Sequence, residues 1–310
     1  MSRNPGSTVG GQAVIEGVMM RAPEAWAIAV RRPDGVIEAS TRELPSFVAR
    51  SRWRKVPFIR GILVLAESLS LGFRALSWSA QKAGTDEEGE ELRKRDIAFA
   101  MVFGVLFVVV VFIVAPLLVA GAAEGVVGDS DLAFNVVDGL VRVALFLLYI
   151  WAIGFSKDIG RVFEFHGAEH KTIHAYEAGD PLDLASIQKY SPRHPRCGTN
   201  FLMIVIILAL VVFTLIGRPR LPLLIASRVV FIPIIAGVSY ELLKAAAQQR
   251  WLSLASKPGI WLQRLTTRQP DDGQVEVAVA SLLAALTEEE VARVSERGPI
   301  TPGALAVESS

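Results

Sequence analysis

Cysteine, histidine and charge are all scarce in this sequence. It contains one cysteine, Cys197, and four histidines among 310 residues. A single thiol excludes an intramolecular disulfide framework. Charged residues make up 20% of the chain, against about 25% in a typical soluble domain, and the formal net charge is +1. Because nucleic-acid-binding proteins carry a cationic face, we expect no nucleic-acid partner.

Apolar residues are abundant, at 52% of the chain with a mean hydropathy of +0.41. A helix needs roughly 20 apolar residues to cross the hydrocarbon core of a bilayer. Four segments approach or exceed this length and predict transmembrane helices at 97–123, 136–155, 201–217 and 221–240. We therefore predict a mainly α, multi-pass membrane protein whose first partner is the lipid bilayer. The first 12 residues have no apolar core, so no cleavable signal peptide is expected.

The distribution of basic residues predicts the orientation of these helices. Fifteen Lys and Arg residues precede the first span, six lie in the loop at 156–200, and seven follow Tyr240. The loop at 124–135 has none. Because cytoplasmic loops are enriched in Lys and Arg, we expect both termini and the loop at 156–200 to be cytoplasmic.

Two arginines, Arg142 and Arg228, fall inside predicted spans, where a charge is costly. Both lie roughly 10 Å from the predicted outer end of their helix, so we expect the side chains to snorkel to the interface. The alternative is a polar contact inside the bundle, with Asp138 as the partner.

The segment at 56–80 is apolar but carries three charges at seven-residue intervals, Arg60, Glu67 and Arg74. These share one face of a helix, which favours an amphipathic helix on the membrane or over the bundle. A fifth span is disfavoured, because it would bring three charges into hydrocarbon.

The remaining segments have the composition of ordinary non-membrane protein. Extended runs around the Pro33-Asp34-Gly35 turn predict a β-hairpin in the N-terminal region 1–55. Asp272 and Thr287, the latter with Glu290, predict helix caps near the C-terminus. The full prediction adds a charged linker at 81–96, cytoplasmic C-terminal helices within 241–297, and a disordered tail at 298–310.

All four histidines fall between positions 166 and 194. His166, His170 and His174 recur every fourth residue, so on a helix they share one face with Glu177, and Glu169 flanks that face. The stretch from His166 to His170 has the H-x-x-E-H form of the inverted zinc-peptidase motif. In that motif two histidines bind a metal and the Glu acts on its bound water.

Geometry limits which histidines can share one ion. His166 and His174 are two turns apart, roughly 12 Å, whereas zinc–nitrogen bonds are about 2 Å. An adjacent pair can serve, and a further ligand must then come from elsewhere, or a second metal is present. The turn at 191–198 supplies His194 and Cys197, and thiolate with imidazole suits zinc. The predicted metal ligands are His166, His170, His174, His194 and Cys197, with Glu169 as the catalytic base and Glu177 in support.

Other interpretations of these residues stay open. The metal could be structural, the histidines could contact lipid headgroups or helix carbonyls, and Cys197 could be a nucleophile activated by His194. A second polar group, Gln12, Glu16 and Arg21, lies in the glycine-containing segment GGQAVIEGVMMR. It could line a site or form a packed turn.

Five segments together resemble the YqhQ-like family of bacterial membrane proteins. They are GGQAVIEGVMMR, EFHGAEHKTIHAYEAG, SPRHPRCGTNFL, VSYELL and PGIWLQRLTT, between about Gly10 and Ala280. The resemblance implies a multi-pass protein of the bacterial plasma membrane and a metal-dependent enzyme of unspecified substrate. On this resemblance, the polar residues of the family's motif correspond to His166, Glu169, His170, His174, His194 and Cys197.

Three classes of function are compatible with these observations. The first is a metal-dependent hydrolase at the cytoplasmic membrane face, which the histidine spacing favours. The second is a non-enzymatic membrane scaffold or regulator that recruits partners through its linker and hairpin. The third is an ion or small-solute transporter, although four spans are few and no paired broken helices mark a midplane site.

Overall fold

The structure is a computed structural model that describes residues 9–44, 51–83, 94–127, 130–217, 220–248 and 257–309. Its helices are α1 (Ile59–Ala83), α2 (Lys94–Val109), α3 (Ala115–Val127), α4 (Asp131–Ile153), α5 (Lys157–Ala178), α6 (Leu184–Gln188), α7 (Gly198–Ile216), α8 (Leu221–Gln248), α9 (Lys257–Thr266), α10 (Asp272–Ala285) and α11 (Glu288–Glu296). Its strands are β1 (Gly10–Val14), β2 (Gly17–Arg21), β3 (Ala25–Arg31), β4 (Ile37–Glu43) and β5 (Val307–Ser309). The predicted class, a mainly α chain with a small N-terminal sheet, is confirmed.

In the ranges that the structure describes, four helical segments are long and apolar enough to cross a membrane, as predicted. They are Ala98–Val126, Asp131–Ile153, Gly198–Ile216 and Ala226–Ala245. The first joins α2 to α3 through one π-helical turn, Val110–Val114. Their ends differ from the apolar runs because capping groups, not hydropathy, end a helix. Ser130, for example, caps α4 by accepting from the backbone N–H of Ala133, so α4 starts five residues before the predicted span.

The two intramembrane arginines do not snorkel. Arg142 and Arg228 both contact the carboxylate of Asp138, at 3.1 Å and 3.3 Å, and Arg228 is only 2% exposed. The Arg228 guanidinium carbon lies 3.7 Å from the ring centroid of Phe213 on α7. The snorkelling prediction is wrong because an internal carboxylate and an aromatic face are nearer than the interface. These contacts join α4, α7 and α8.

The five strands form one sheet in the order β1-β2-β3-β4-β5. The predicted hairpin is β3–β4, closed at Gly35, whose φ of +87° suits glycine. The segment GGQAVIEGVMMR forms a second hairpin, β1–β2, which was not predicted. The prediction of a disordered tail at 298–310 is wrong for the residues up to 309. These residues are ordered, and β5 among them pairs in parallel with the edge of β4. That pairing satisfies backbone groups which the edge would otherwise expose.

The sheet is buried on both faces. Trp26, Ile28 and Val30 pack against Leu71 and Ala75 of α1 on one side. On the other side, Val18, Met20, Ala27 and Ala29 join a core with α5 and α10. Burial on both faces removes the apolar–polar alternation that marks a half-exposed strand, so β2 gave no clear strand signal in the sequence.

The helix predicted at 56–80 is α1, and two of its three regularly spaced charges, Arg60 and Glu67, face protein, whereas Arg74 is exposed. Arg60 pairs with Glu241 of α8, and the buried Glu67 pairs with Arg21 of β2 at 2.5 Å. Gly61 lies against Gly237, where an added Cβ would come within 2.8 Å of the Gly237 carbonyl oxygen. The helix therefore links the membrane bundle to the sheet, which corresponds to the predicted position over the bundle.

The C-terminal helices follow the capping prediction with one shift. Thr287 and Glu290 form the expected capping box of α11. The cap of α10 is Asp271, not Asp272, and it forms a capping box with Gln274. The two aspartates are adjacent, and Gln274 occupies the third helical position only when Asp271 is the cap. Residues 84–93 of the predicted linker lie outside the described residues, and α2 already begins at Lys94.

The Asp138 contacts predict an order of stability among variants. Asp138→Asn leaves the buried Arg228 and the half-buried Arg142 without a counter-charge and should destabilise the protein by about 3–5 kcal/mol. Arg228→Met leaves the Asp138–Arg142 pair balanced and should cost less. Thermal unfolding of detergent-solubilised protein measures both, with the exposed Leu140→Ala as a control. Equal melting temperatures for Asp138→Asn and the wild type would contradict the assignment.

Candidate metal centre

The histidine-rich segment is helical, as predicted. It lies in α5, which ends at Gly179 in the left-handed conformation that glycine tolerates. The helix packs against α10, β1 and β2, and its histidine face turns toward the segment at 191–198. That segment is a turn, and it ends where Cys197 caps α7. Two segments that are distant in sequence therefore meet at the start of a membrane span.

Three potential ligand atoms converge at this meeting point. Ring nitrogens of His166 and His170 and the sulfur of Cys197 lie within 4.8 Å of one another. His166 Nε2 is 3.1 Å from Cys197 Sγ, and the two imidazole centroids are 4.4 Å apart. We call these residues the His–His–Cys cluster. Among the described residues, this is the one group of three or more His, Cys, Asp or Glu with such spacing.

Backbone carbonyls fix the orientation of both imidazoles. His166 Nδ1 donates to the carbonyl of Thr266 at 2.8 Å, and His170 Nδ1 donates to that of Pro192 at 2.7 Å. Each Nε2 is then the unprotonated nitrogen and presents a lone pair to the cluster. The Nε2 of His170 is buried and has no hydrogen-bond partner within the described parts of the chain. Metal-binding histidines are held in this way.

Burial disfavours the charged forms of His170 and Cys197. Desolvation lowers the pKa of His170 to about 2, with a smaller effect from His166. Burial also raises the pKa of the Cys197 thiol, opposed by hydrogen bonds from Thr199 and from the backbone N–H of Gly198. These donors stand at the N-terminus of α7, where the helix dipole favours a thiolate.

Glu169 lies beside the cluster, on the side of the sheet. It is buried, and its pKa is raised to about 8, chiefly by desolvation. The charge of His166 acts in the opposite direction, and the N–H of Gly11 donates to the carboxylate. A Cβ on Gly11 would come within 2.9 Å of the Glu169 side chain. Glycine at this position therefore lets β1 close over Glu169.

The other two histidines lie beside the cluster but outside it. His174 Nε2 donates to the carbonyl of Arg193 at 3.0 Å, and its ring stacks on Tyr190. His194 Nδ1 accepts from the N–H of Arg196, so its Nε2 carries the proton and faces Glu177 at 3.6 Å. Burial lowers the pKa of His194 to about 4. Within the described residues, neither ring belongs to the group of closely spaced potential ligand atoms.

The second predicted polar group does not converge. Glu16 forms a two-point pair with Arg161, at 2.5 Å for each contact, and Arg21 pairs with Glu67. The Gln12 side chain lies against Gly72 of α1. Their segment contributes to the site through Gly11 instead.

Several positioning groups are main-chain atoms that sequence reasoning missed. The carbonyls of Thr266 and Pro192 orient the imidazoles, and Gln263 holds the turn by pairing with both N–H and C=O of His194. A Cβ at Gly167 would overlap the carbonyl oxygen of Arg268. Gly167, within the H-x-x-E-H segment, was the one sequence signal of this contact, since glycine lets another backbone approach α5 closely.

Fold and site together define a multi-pass membrane protein with a partly buried His–His–Cys cluster next to a carboxyl group. Residues 56–288 match the family described as protein of unknown function (DUF1385), and the chain belongs to that family. It is 33% identical over 300 residues to the uncharacterized protein YqhQ of Bacillus subtilis strain 168, covering 90% of this chain and 94% of that protein. The resemblance to the YqhQ-like family is thereby confirmed. No solved structure gives a significant match.

The close approach at Gly167 gives a test of the site's packing. Gly167→Ala should destabilise the protein by about 1–3 kcal/mol, because the added methyl group overpacks α5 against Arg268. Gly121→Ala is the matched control, since no atom lies within 4 Å of its added Cβ. Thermal unfolding compares the two. Equal melting temperatures would show that the backbone approach at Gly167 is not tight.

Proposed function

We propose that this protein is a metal-dependent hydrolase of the bacterial plasma membrane, with its active site at the cytoplasmic face and both termini in the cytoplasm. The orientation rests on the basic residues that flank the spans. The position of the site follows from α5 and the turn at 191–198, which lie next to the membrane spans α4 and α7.

The lone pair of His170 Nε2 carries the proposal. A buried acceptor without a partner costs about 1–3 kcal/mol, and here it points toward another imidazole nitrogen and a sulfur. A divalent cation bound by His166, His170 and Cys197 removes that cost. The donor set, two nitrogens and one sulfur, suits zinc. Three protein ligands leave the fourth tetrahedral position for water or substrate, as in catalytic zinc sites.

The residues around the cluster supply what hydrolysis requires. A bound zinc ion would lower the pKa of a coordinated water and polarise a substrate carbonyl or phosphoryl group. In this proposal Glu169 accepts and returns a proton, because its buried carboxyl lies beside His166 and Cys197. A cation bound there would lower the pKa that burial raises and so favour the carboxylate. The N–H of Gly11 holds that carboxyl in place, and Thr199 supports the thiolate.

Metal content tests the ligand assignment. Purified wild-type protein should contain about one zinc ion per chain, and His166→Ala, His170→Ala and Cys197→Ser should each lose most of it. His174→Ala is the matched control, because it removes an imidazole from the same helix outside the cluster. Elemental analysis of purified protein measures the ratio.

Two outcomes would contradict the ligand assignment. One is negligible transition metal in the wild type after preparation without chelators. The other is equal loss in His174→Ala and His170→Ala, which would assign the ion to a different set of histidines. Cobalt substitution gives a further measurement, since thiolate-to-cobalt absorption should vanish in Cys197→Ser.

The role of Glu169 distinguishes an enzyme from a scaffold. Glu169→Gln keeps the shape and the hydrogen bond to Gly11 but cannot act as a base, so metal content should persist while function is lost by about 100-fold or more. In bacteria lacking the gene, complementation by equal amounts of membrane-inserted variant and wild type measures this. Full complementation by Glu169→Gln would favour the scaffold.

A further inference from the structure

A groove lies where α1, β4 and the start of the first membrane span meet, away from the metal centre. Its volume is about 440 Å³, and its lining includes Arg42, Phe73, Arg74, Trp78, Ala98 and Met101. Ala98 and Met101 belong to the first turns of the candidate span Ala98–Val126. The groove therefore stands at the level where the chain enters the bilayer.

The two arginines of the groove are exposed and lack a carboxylate partner in the described part of the chain. The guanidinium carbon of Arg42 lies 6.0 Å from the ring centroid of Trp26. The neighbouring cation Lys82 is already paired with Glu38 at 2.6 Å. The groove thus presents two unneutralised guanidinium groups, the donors best suited to bind a phosphate through two hydrogen bonds.

Beside these cations the lining is mostly apolar, with Ser77 and Gln81 as its uncharged polar residues. Phe73 is 42% exposed, and Leu69, one turn earlier on α1, is 52% exposed. With Met101 and Trp78 they form a surface that hydrocarbon would cover, and tryptophan is typical of the membrane interface. The ligand that fits this arrangement has an anionic head and apolar chains.

We infer that this groove binds an anionic phospholipid of the bilayer, with the phosphate between Arg42 and Arg74 and the acyl chains along Phe73 and Met101. Charge complementarity and the position at the membrane entry select this occupant. The bound lipid anchors α1, and through it the sheet, to the membrane surface. The inference does not depend on the metal site or on the proposed hydrolase activity.

Lipid titration of the full-length protein in detergent tests the inference. Binding of short-chain phosphatidylglycerol is followed by the rise in melting temperature, with phosphatidylcholine of the same chains and inorganic phosphate as comparison ligands. Each arginine near a membrane surface contributes about fivefold in affinity. Arg42→Gln with Arg74→Gln should therefore weaken phosphatidylglycerol binding about 25-fold, and each single variant should be intermediate.

The matched control removes the same charge elsewhere. Arg264→Gln with Arg293→Gln changes two exposed arginines outside the groove and should leave phosphatidylglycerol binding unchanged. The melting temperatures without lipid show that both double variants are folded, which exposed positions should permit. Trp78→Ala gives a second variant in which the apolar wall, not the charge, is lost, and its affinity should also fall.

Four results would overturn the inference. Phosphatidylcholine could bind as tightly as phosphatidylglycerol, or the groove variants could bind as tightly as the wild type. Inorganic phosphate could protect equally well, which would assign the arginines to a free anion. Finally, phosphatidylglycerol could bind only to a variant in which Asp86, Glu87, Glu88, Glu90 and Glu91 are replaced by Asn or Gln. That result would show that the two arginines pair with the acidic segment instead of with lipid.

Discussion

The geometry of the site depends on two hydrogen bonds from imidazoles to backbone carbonyls. Because the Nδ1 atoms of His166 and His170 donate to Thr266 and Pro192, both Nε2 lone pairs point inward. The carbonyls come from the end of α9 and from the turn at 191–198, so the cluster forms only when both segments are docked on α5. Gly167 permits that docking, and Gln263 holds the turn in place. As a consequence, the lone pair of His170 Nε2 is buried without a partner in the described part of the chain, and a bound cation would remove the free-energy cost of that burial.

The site connects two parts of the molecule with different surroundings. Cys197 caps a membrane-spanning helix, whereas Glu169 lies against the sheet through Gly11. Helix α1 makes the same connection on the opposite face of the sheet, through the pairs of Arg60 and Glu67 with α8 and β2. Sheet and membrane bundle are thus held together on both sides, and the His–His–Cys cluster lies at one of the two junctions.

The sequence predicted the features that depend on local pattern. Hydropathy alone located the four spans, and the four-residue recurrence of histidine predicted the helix and its ligand face. The sequence did not reveal β2, whose two-sided burial removes alternation, or its hairpin partner β1. It also did not reveal β5, which forms only because β4 offers an open edge. The expectation that Arg228 snorkels failed for a similar reason, and the alternative partner, Asp138, is the one that the structure shows. Whether an arginine snorkels depends on what the neighbouring helices present, and Asp138 and Phe213 come from two other helices.

The sequence predicted which residue types form the site, but not which of the candidate residues come together. Five candidate ligands were proposed, and the fold brings three of them together. His174 donates a hydrogen bond to the carbonyl of Arg193, and His194 accepts one from the N–H of Arg196, so both rings are held outside the cluster. No sequence pattern records those backbone contacts. X-ray absorption at the zinc edge of the purified protein tests the central claim most directly. It should show one sulfur ligand at about 2.3 Å together with nitrogen or oxygen ligands at about 2.0–2.1 Å. A zinc environment without sulfur would contradict it.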